Sequence, residues 1–92
     1  MQTKLKQNKA EVWSQENCPA CQEAKRLLAS HAIEYTECMI GVGTYSKKDL
    51  IEKAPNARSV PQIFLDGEYV GGLQELKKRL AVHDNYKTTT MG

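Results

Sequence analysis

The chain has 92 residues, 40% of them hydrophobic, and its 13 basic and 11 acidic side chains give a net charge of +2. This length fits one domain over residues 1–92, because domains commonly contain about 100–150 residues. A nucleic-acid-binding protein would need a more concentrated basic face, and no apolar run approaches the roughly 18 residues of a membrane span. The polar residues 1–10 lack the apolar stretch of a secretory signal, so we expect a cytoplasmic protein.

The first predicted elements are a short strand, a helix and a second strand. Residues 1–9 show little apolar periodicity and are expected to be flexible, whereas 11–14 alternate as a strand does. Pro19 suits the first position of a helix, where its missing N–H costs nothing. The predicted core face of this helix consists of Ala20, Ala24, Leu27, Leu28 and His31. Residues 33–39 alternate again and predict the second strand.

A turn and a second helix are predicted next. Gly41 and Gly43 lack the spacing of a dinucleotide or phosphate-binding loop and indicate a turn. Ser46 and Asp49 match a capping box at a helix start. The predicted buried stripe of this helix consists of Leu50, Ile51 and Ala54, and the helix ends at Pro55.

The last predicted elements are a hairpin and a third helix. Asp66-Gly67 separates the β-prone runs 60–65 and 68–70, as in a tight hairpin with positive φ at both turn residues. Gly71-Gly72 leads into a helix whose predicted core face consists of Leu73, Leu76 and Leu80. Residues 84–92 have no apolar face and are expected to be flexible.

The predicted order is therefore β-α-β-α-β-β-α, an α/β fold. The first two strands should be parallel, because a helix joins them through a right-handed crossover. The last two strands should pair antiparallel as a hairpin. We expect one four-stranded mixed sheet flanked by helices.

Two of the three cysteines, Cys18 and Cys21, form a C-x-x-C pair at the start of the first helix. Unpaired N–H groups and the positive end of the helix dipole favour an anion there. The thiolate is the reactive form in disulfide exchange. Cys21 lies about one turn further along the same side of the helix, within reach of Cys18. The pattern indicates Cys18 as the nucleophile and Cys21 as the resolving thiol.

A zinc site is the alternative use of this pair, and it would need two further ligands. Cys38, His31 and His83 are the remaining cysteine and histidine candidates. His31 lies at the far end of the helix, roughly 15 Å from Cys21, and no second paired motif exists. The spacing therefore favours redox chemistry, with no metal, and Cys38 is interpreted as a small buried hydrophobic residue.

Val60-Pro61 precedes the third predicted strand. Proline is unusual where a paired strand begins, because it has no donor for the ladder. A cis bond that turns the preceding backbone outward and an ordinary loop fit the sequence equally well.

Taken together, C-P-A-C, S-V-P-Q-I-F-L-D-G and Gly-Gly in this order resemble the glutaredoxins over residues 12–80. The resemblance implies a thioredoxin fold and thiol–disulfide exchange with glutathione as electron donor. It also implies that Pro61 is cis and lies against the dithiol, and that the Val60 backbone pairs with bound glutathione. The implied partners are glutathione and disulfide-containing proteins, ribonucleotide reductase among them, acting on a monomer with no tightly bound cofactor.

The other implied glutathione contacts are Gln15, Lys48, Gly72 and Gln74. Lys48 matches the basic or amide residue that often holds a glutathione carboxylate, and Arg58 could help. Gln15 stands where the family often has a cation, and Gln74 where it commonly has an acid.

Two other hypotheses stay open at this point. Because Gln15 and Gln74 are neutral, a glutaredoxin-like thioredoxin reduced by a flavoprotein reductase is one alternative. A non-catalytic metal-binding or adaptor module that uses the C-x-x-C as ligands is the other.

Overall fold

Four strands form one mixed sheet in the part of the chain that the computed structural model describes, residues 9–81. The strands are β1 (Lys9–Ser14), β2 (Glu34–Met39), β3 (Gln62–Leu65) and β4 (Glu68–Gly71). Their order across the sheet is β2-β1-β3-β4. β1 pairs parallel with β2 and antiparallel with β3, and β3 pairs antiparallel with β4. The predicted parallel pair and the predicted hairpin are both confirmed.

Helices cover both faces of this sheet. They are α1 (Pro19–Ser30), α2 (Lys47–Lys53) and α3, whose described residues are 73–81. Neighbouring residues of a strand face opposite sides of a sheet. Val12 and Ile63 accordingly belong to a core with α1 and α3, whereas Trp13 and Phe64 belong to a core with α2. None of the helices within 9–81 has the length and apolar character needed to cross a membrane.

The predicted starts of α1 and α2 are confirmed. α1 begins at Pro19 behind an N-cap at Cys18. At α2, Asp49 N–H donates to Ser46 Oγ at 3.2 Å and Ser46 N–H donates to Asp49 Oδ2 at 2.9 Å, which is the predicted capping box. Each of these starts depends on residues that are close in sequence.

The hairpin turn is also as predicted, and it explains why β1 is longer than expected. Asp66 and Gly67 have φ values of 51° and 85°. Asp66 N–H donates to the Lys9 carbonyl at 2.8 Å, and Lys9 N–H donates to Asp66 Oδ1 at 2.9 Å. The prediction that Lys9 belongs to a flexible lead is therefore wrong, because the distant turn residue holds it in the sheet. The other predicted flexible residues, 1–8 and 84–92, lie outside the described residues.

Three other predictions need correction. Ile51 is 37% exposed and is not part of the buried stripe of α2, since Leu50 is the residue that this helix buries. Ile33 precedes β2, although it is buried. Val60 and Pro61 also lie outside the strands, because β3 begins at Gln62.

Candidate active site

Cys18 and Cys21 form a disulfide at the N-terminus of α1, with 5.2 Å between their Cα atoms. Cys18 is the N-cap residue, and its sulfur accepts a hydrogen bond from Cys21 N–H at 3.1 Å. Its carbonyl accepts from Cys21 N–H at 3.1 Å and from Gln22 N–H at 3.2 Å. The first N–H groups of the helix are thus directed at Cys18. The Cys21 N–H and the positive end of the helix dipole therefore favour negative charge on the Cys18 sulfur once the disulfide is reduced.

The two sulfur-bearing residues differ in exposure. Cys18 is half-buried at the surface, whereas Cys21 is only 1% exposed. α1 has no acidic residue in its first turn, so no carboxylate there opposes a thiolate. A disulfide from outside can therefore reach the Cys18 sulfur more readily than the Cys21 sulfur, and Cys21 is within reach of the Cys18 sulfur.

An open groove of about 680 Å³ lies beside the dithiol. Ala20, between the two cysteines, lines this groove together with the 56–62 segment and the 69–75 segment. The Val60–Pro61 peptide bond is cis, as the family resemblance implied. Since Val60 lies outside the four strands, its backbone is not part of the sheet ladder. The groove therefore presents backbone outside the sheet ladder next to Ala20, the neighbour of Cys21.

The two consecutive glycines serve the close packing of this groove. Gly71 has φ of 122°, and a Cβ on it would lie 2.9 Å from Glu75 Cγ. A Cβ on Gly72 would lie 3.3 Å from the Pro61 carbonyl oxygen. A side chain at Gly71 would displace that of Glu75 and would be strained at this φ, whereas one at Gly72 would crowd the Pro61 carbonyl.

A pair of side-chain hydrogen bonds holds the loop that carries Val60. The Tyr69 hydroxyl donates to Gln62 Oε1, and Gln62 Nε2 donates to the Ser59 carbonyl at 2.8 Å. Gln62 is 7% exposed, and both the oxygen and the nitrogen of its side-chain amide are hydrogen-bonded away from bulk water. These bonds connect β4, β3 and the loop before β3.

The structure brings most of the predicted glutathione contacts together. Val60, Pro61, Gly72 and Gln74 all line the groove. Gln15 lies beside it, in a smaller cleft of about 90 Å³ that shares Ala57, Arg58, Ser59 and Val60 with the groove. The cleft is lined by Gln15, Ile40, Lys47, Leu50, Ile51, Ala57, Arg58, Ser59 and Val60.

Lys48 lines neither the groove nor the cleft, whereas its neighbour Lys47 lines the cleft. A helix turns by about 100° per residue, so neighbouring side chains point in different directions. The role of Lys48 stays a prediction.

Sequence reasoning missed Glu75. Its Oε1 accepts a hydrogen bond from Gly72 N–H at 3.0 Å, and the residue lines the groove. A glutamate three residues after a helix N-cap is half of a capping box, and this spacing could have pointed to it. The groove therefore carries a carboxylate near Gln74.

Cys38 lies in the α2-side core and is 2% exposed. Burial and the nearby Glu11 carboxylate raise the pKa of its thiol. Lys53 Nζ donates to both oxygens of that carboxylate at 2.9 Å, and Trp13 Nε1 donates to Oε2 at 2.7 Å. The prediction that Cys38 is buried is confirmed, and the raised pKa makes it a poor nucleophile.

A second polar cluster links α1 to the sheet. Ser14, fully buried, donates to Glu37 Oε2 at 2.6 Å, and Lys25 Nζ donates to the same oxygen at 2.9 Å. The hydrogen bond from Ser14 and then the one from Lys25 lower the pKa of Glu37. Lys25 lies one helical turn after Cys21, so this cluster supports the helix that carries the dithiol.

Metal ligation was the competing use of the cysteine pair. Within residues 9–81, no group of three or more His, Cys, Asp and Glu side chains is placed to hold a metal ion. His83 lies outside these residues. Within the described residues, the dithiol and its groove are therefore the candidate active site.

Known proteins are similar to this chain in sequence and in fold. The glutaredoxin family model matches residues 10–70. Glutaredoxin 3 of Escherichia coli K12 is 36% identical over 66 residues, which cover 72% of this chain and 78% of the relative. The reduced Escherichia coli glutaredoxin structure superimposes with a TM-score of 0.71 at 25% identity, over 84% of this chain and 98% of that one. A buckwheat glutaredoxin–glutathione complex superimposes with a TM-score of 0.62 at 25% identity, over 91% and 76%.

The fold, the cysteine pair at a helix start and these similarities agree with one another. The predicted thioredoxin fold is confirmed by the four-stranded mixed sheet and its three helices. The non-catalytic adaptor hypothesis is not supported, because the relatives are glutaredoxins and the two cysteines are bonded as a redox pair. The chain belongs to the glutaredoxin family and is a thiol–disulfide oxidoreductase.

Proposed function

We propose that glutathione is the electron donor of this protein and that it reduces protein disulfides and glutathione mixed disulfides. The proposal rests on the groove beside the dithiol. This groove presents the Val60 backbone, the cationic side chain of Arg58 and the carboxylate of Glu75. Both cysteines come from one chain, so a monomer suffices. The cytoplasm, whose glutathione pool keeps thiols reduced, is the compartment that suits this activity.

The reaction proceeds through two exchanges. The Cys18 thiolate attacks one sulfur of the substrate disulfide, forming a mixed disulfide while the second substrate sulfur leaves as a thiolate and takes up a proton. The Cys21 thiolate then attacks the Cys18 sulfur, which forms the Cys18–Cys21 disulfide and releases the first substrate sulfur. Two electrons pass from the dithiol to the substrate. Two glutathione molecules return them by the reverse exchanges and leave as glutathione disulfide.

The groove offers a matching group for each part of glutathione. The cysteine backbone of glutathione can pair with Val60, as an added strand pairs with a sheet edge. Arg58 provides a cation for a carboxylate, and Glu75 provides a carboxylate for the ammonium group. The buckwheat relative, whose structure is a complex with glutathione, supports this choice of ligand.

A flavoprotein reductase as electron donor is the second candidate, and the neutral Gln15 and Gln74 favour it. A hydrogen bond to a charged group contributes about 1.5–3 kcal/mol, against about 1 kcal/mol for a neutral one. Two neutral contacts could therefore weaken glutathione binding enough for another donor to dominate.

An activity assay with two different electron donors distinguishes these two candidates. The oxidised protein is supplied either with glutathione, glutathione reductase and NADPH or with thioredoxin reductase and NADPH, and NADPH consumption is followed with a protein disulfide substrate. Ribonucleotide reductase is one substrate to include. We expect turnover with the glutathione system. Turnover that occurs only with the thioredoxin reductase system would contradict glutathione as the electron donor. It would leave the dithiol chemistry intact.

A further inference from the structure

The small cleft beside the groove has an apolar floor and a cationic rim. Its floor consists of Ile40, Leu50 and Ala57, which are 8%, 3% and 7% exposed. The side chain of Ile51, 37% exposed, extends this apolar surface to the rim. A volume of about 90 Å³ corresponds to about three water molecules at roughly 30 Å³ each, or to one aliphatic side chain.

The charged residues that line the cleft have one sign. Lys47 and Arg58 are exposed at its rim, and no acidic residue belongs to the lining. An apolar side chain with a carboxylate close to it is therefore complementary to both the floor and the rim. A basic segment would meet two like charges.

The cleft is continuous with the site of thiol exchange. Arg58, Ser59 and Val60 line both the cleft and the groove beside Cys18. A peptide that pairs with the Val60 backbone, with its cysteine at Cys18, thus places residues near that cysteine over the cleft. Neighbouring residues of an extended chain are about 3.3 Å apart, so the residues within two positions of the cysteine span about 7 Å on each side of it.

Glutathione cannot fill this cleft. The residues beside its cysteine are glycine, which has no side chain, and a γ-linked glutamate, whose side chain is the chain linkage itself. Its carboxylates can meet the cationic rim, but it has no apolar group for the floor. Only a protein or peptide substrate can supply that group.

We propose that this cleft is a specificity subsite for protein disulfides that carry an aliphatic residue and an acidic residue within two positions of the attacked cysteine. The proposal rests on the proposed disulfide-reducing function and adds the class of protein substrate. Burial of the aliphatic group in the cleft separates these substrates from glutathione, and the two cations select against basic segments.

Symmetric peptide disulfides test the subsite. Each probe is two identical blocked peptides joined through their cysteines, with leucine and glutamate, glycine and glutamate, or leucine and lysine as the two variable residues. One set places these residues after the cysteine and a second set places them before it. The protein is recycled either by glutathione with glutathione reductase and NADPH or by a dithiol reductant. The value of kcat/KM is then measured for each peptide.

In at least one set we expect the leucine–glutamate peptide to exceed the glycine–glutamate peptide by about tenfold, the effect of burying much of one aliphatic side chain. It should exceed the leucine–lysine peptide by about threefold at low salt. Ile51→Ala should lower the preference for leucine over glycine by about threefold. Lys47→Glu should reverse the preference for glutamate over lysine.

Two matched variants act as controls. Val42→Ala removes another exposed aliphatic side chain, and Lys78→Glu reverses a charge on α3; neither residue lines the cleft. Both should keep the preferences of the unmodified protein. Equal rates on all peptides in both sets, or preferences that Ile51→Ala and Lys47→Glu leave unchanged, would overturn the subsite alone. Failure to reduce any peptide or hydroxyethyl disulfide would overturn the subsite and the proposed function together.

Discussion

Cys21 is joined to Cys18 by the disulfide, and its backbone N–H donates a hydrogen bond to the Cys18 sulfur at 3.1 Å. The bond to sulfur comes from the first turn of α1, where N–H groups have no partner within the helix. After reduction the same N–H stabilises a thiolate on Cys18, so the helix prepares one sulfur for attack. In the proposed mechanism the other sulfur, on the buried Cys21, acts in the second exchange.

The different positions of the two cysteines lead to different losses on substitution. Cys18→Ser should abolish turnover on every disulfide, because the exposed nucleophile is gone. Cys21→Ser should retain activity on glutathione mixed disulfides, which need one thiol, and lose it on intramolecular protein disulfides. Parallel assays with the two substrate types measure this. Full activity of Cys18→Ser would contradict the mechanism.

Cys38 should take no part in catalysis. Its thiol is buried and its pKa is raised by burial and by Glu11, so little thiolate forms near neutral pH. Mass spectrometry after brief alkylation should find Cys38 unmodified in the folded protein and modified after unfolding. Cys38→Ala should keep kcat/KM and lower the free energy of unfolding by about 1 kcal/mol. Rapid labelling of Cys38 in the folded protein would show this interpretation to be wrong.

Glu37 should make the stability of the protein pH-dependent in acid. Its pKa is lowered in the folded state, so its contribution is complete above the ordinary carboxyl pKa of about 4.3. The contribution is lost as the pH falls through the lower folded value. Glu37→Gln should reduce the free energy of unfolding by about 1 kcal/mol at neutral pH.

Urea titrations from pH 7 down to below pH 4 measure the Glu37 effect. The difference between the unmodified protein and Glu37→Gln should shrink with acidification. Glu52→Gln, at an exposed position of α2, is the control and should have little effect at any pH. A difference that stays constant through the acidic range would rule out the assigned role of Glu37.

Gln62 should act as a positioning residue for the loop that carries Val60. Gln62→Ala removes the bond to the Ser59 carbonyl and the acceptor for Tyr69. We expect the free energy of unfolding to fall by about 1–3 kcal/mol and KM for glutathione mixed disulfides to rise. Tyr69→Phe removes only one of these bonds and should have the smaller effect on KM. Equal KM values for all three proteins would show that the loop needs neither bond.

Glu75 should contribute to glutathione recognition through its charge. Glu75→Gln keeps an oxygen that can accept the Gly72 N–H but removes the negative charge in the groove. If the ammonium group of glutathione pairs with this carboxylate, KM should rise by about fivefold, equivalent to about 1 kcal/mol. Thermal unfolding should change little. KM is measured without added salt and with about 0.5 M salt, which screens surface charges. A difference in KM that salt removes is an effect of charge, and one that salt leaves unchanged is an effect of shape.

The sequence alone was sufficient for features that depend on neighbouring residues. Pro19 after Cys18 defines a helix start, Ser46 with Asp49 caps the next helix, and Asp66-Gly67 closes a hairpin. Each depends on backbone preferences and hydrogen bonds within four residues. The reactive pair could be identified for the same reason, since both cysteines lie in one helical turn.

Tertiary structure decided the features that join distant parts of the chain. Lys9 enters the sheet because Asp66, 57 residues away, bonds its backbone. Lys47 rather than Lys48 lines the cleft because the packing of α2 sets its rotation, and Ile51 is consequently exposed. The amphipathic pattern of a seven-residue helix is too short to define that rotation. A sequence of this kind therefore determines its reactive group locally, while the surroundings that select a substrate arise only when the sheet brings separate segments together.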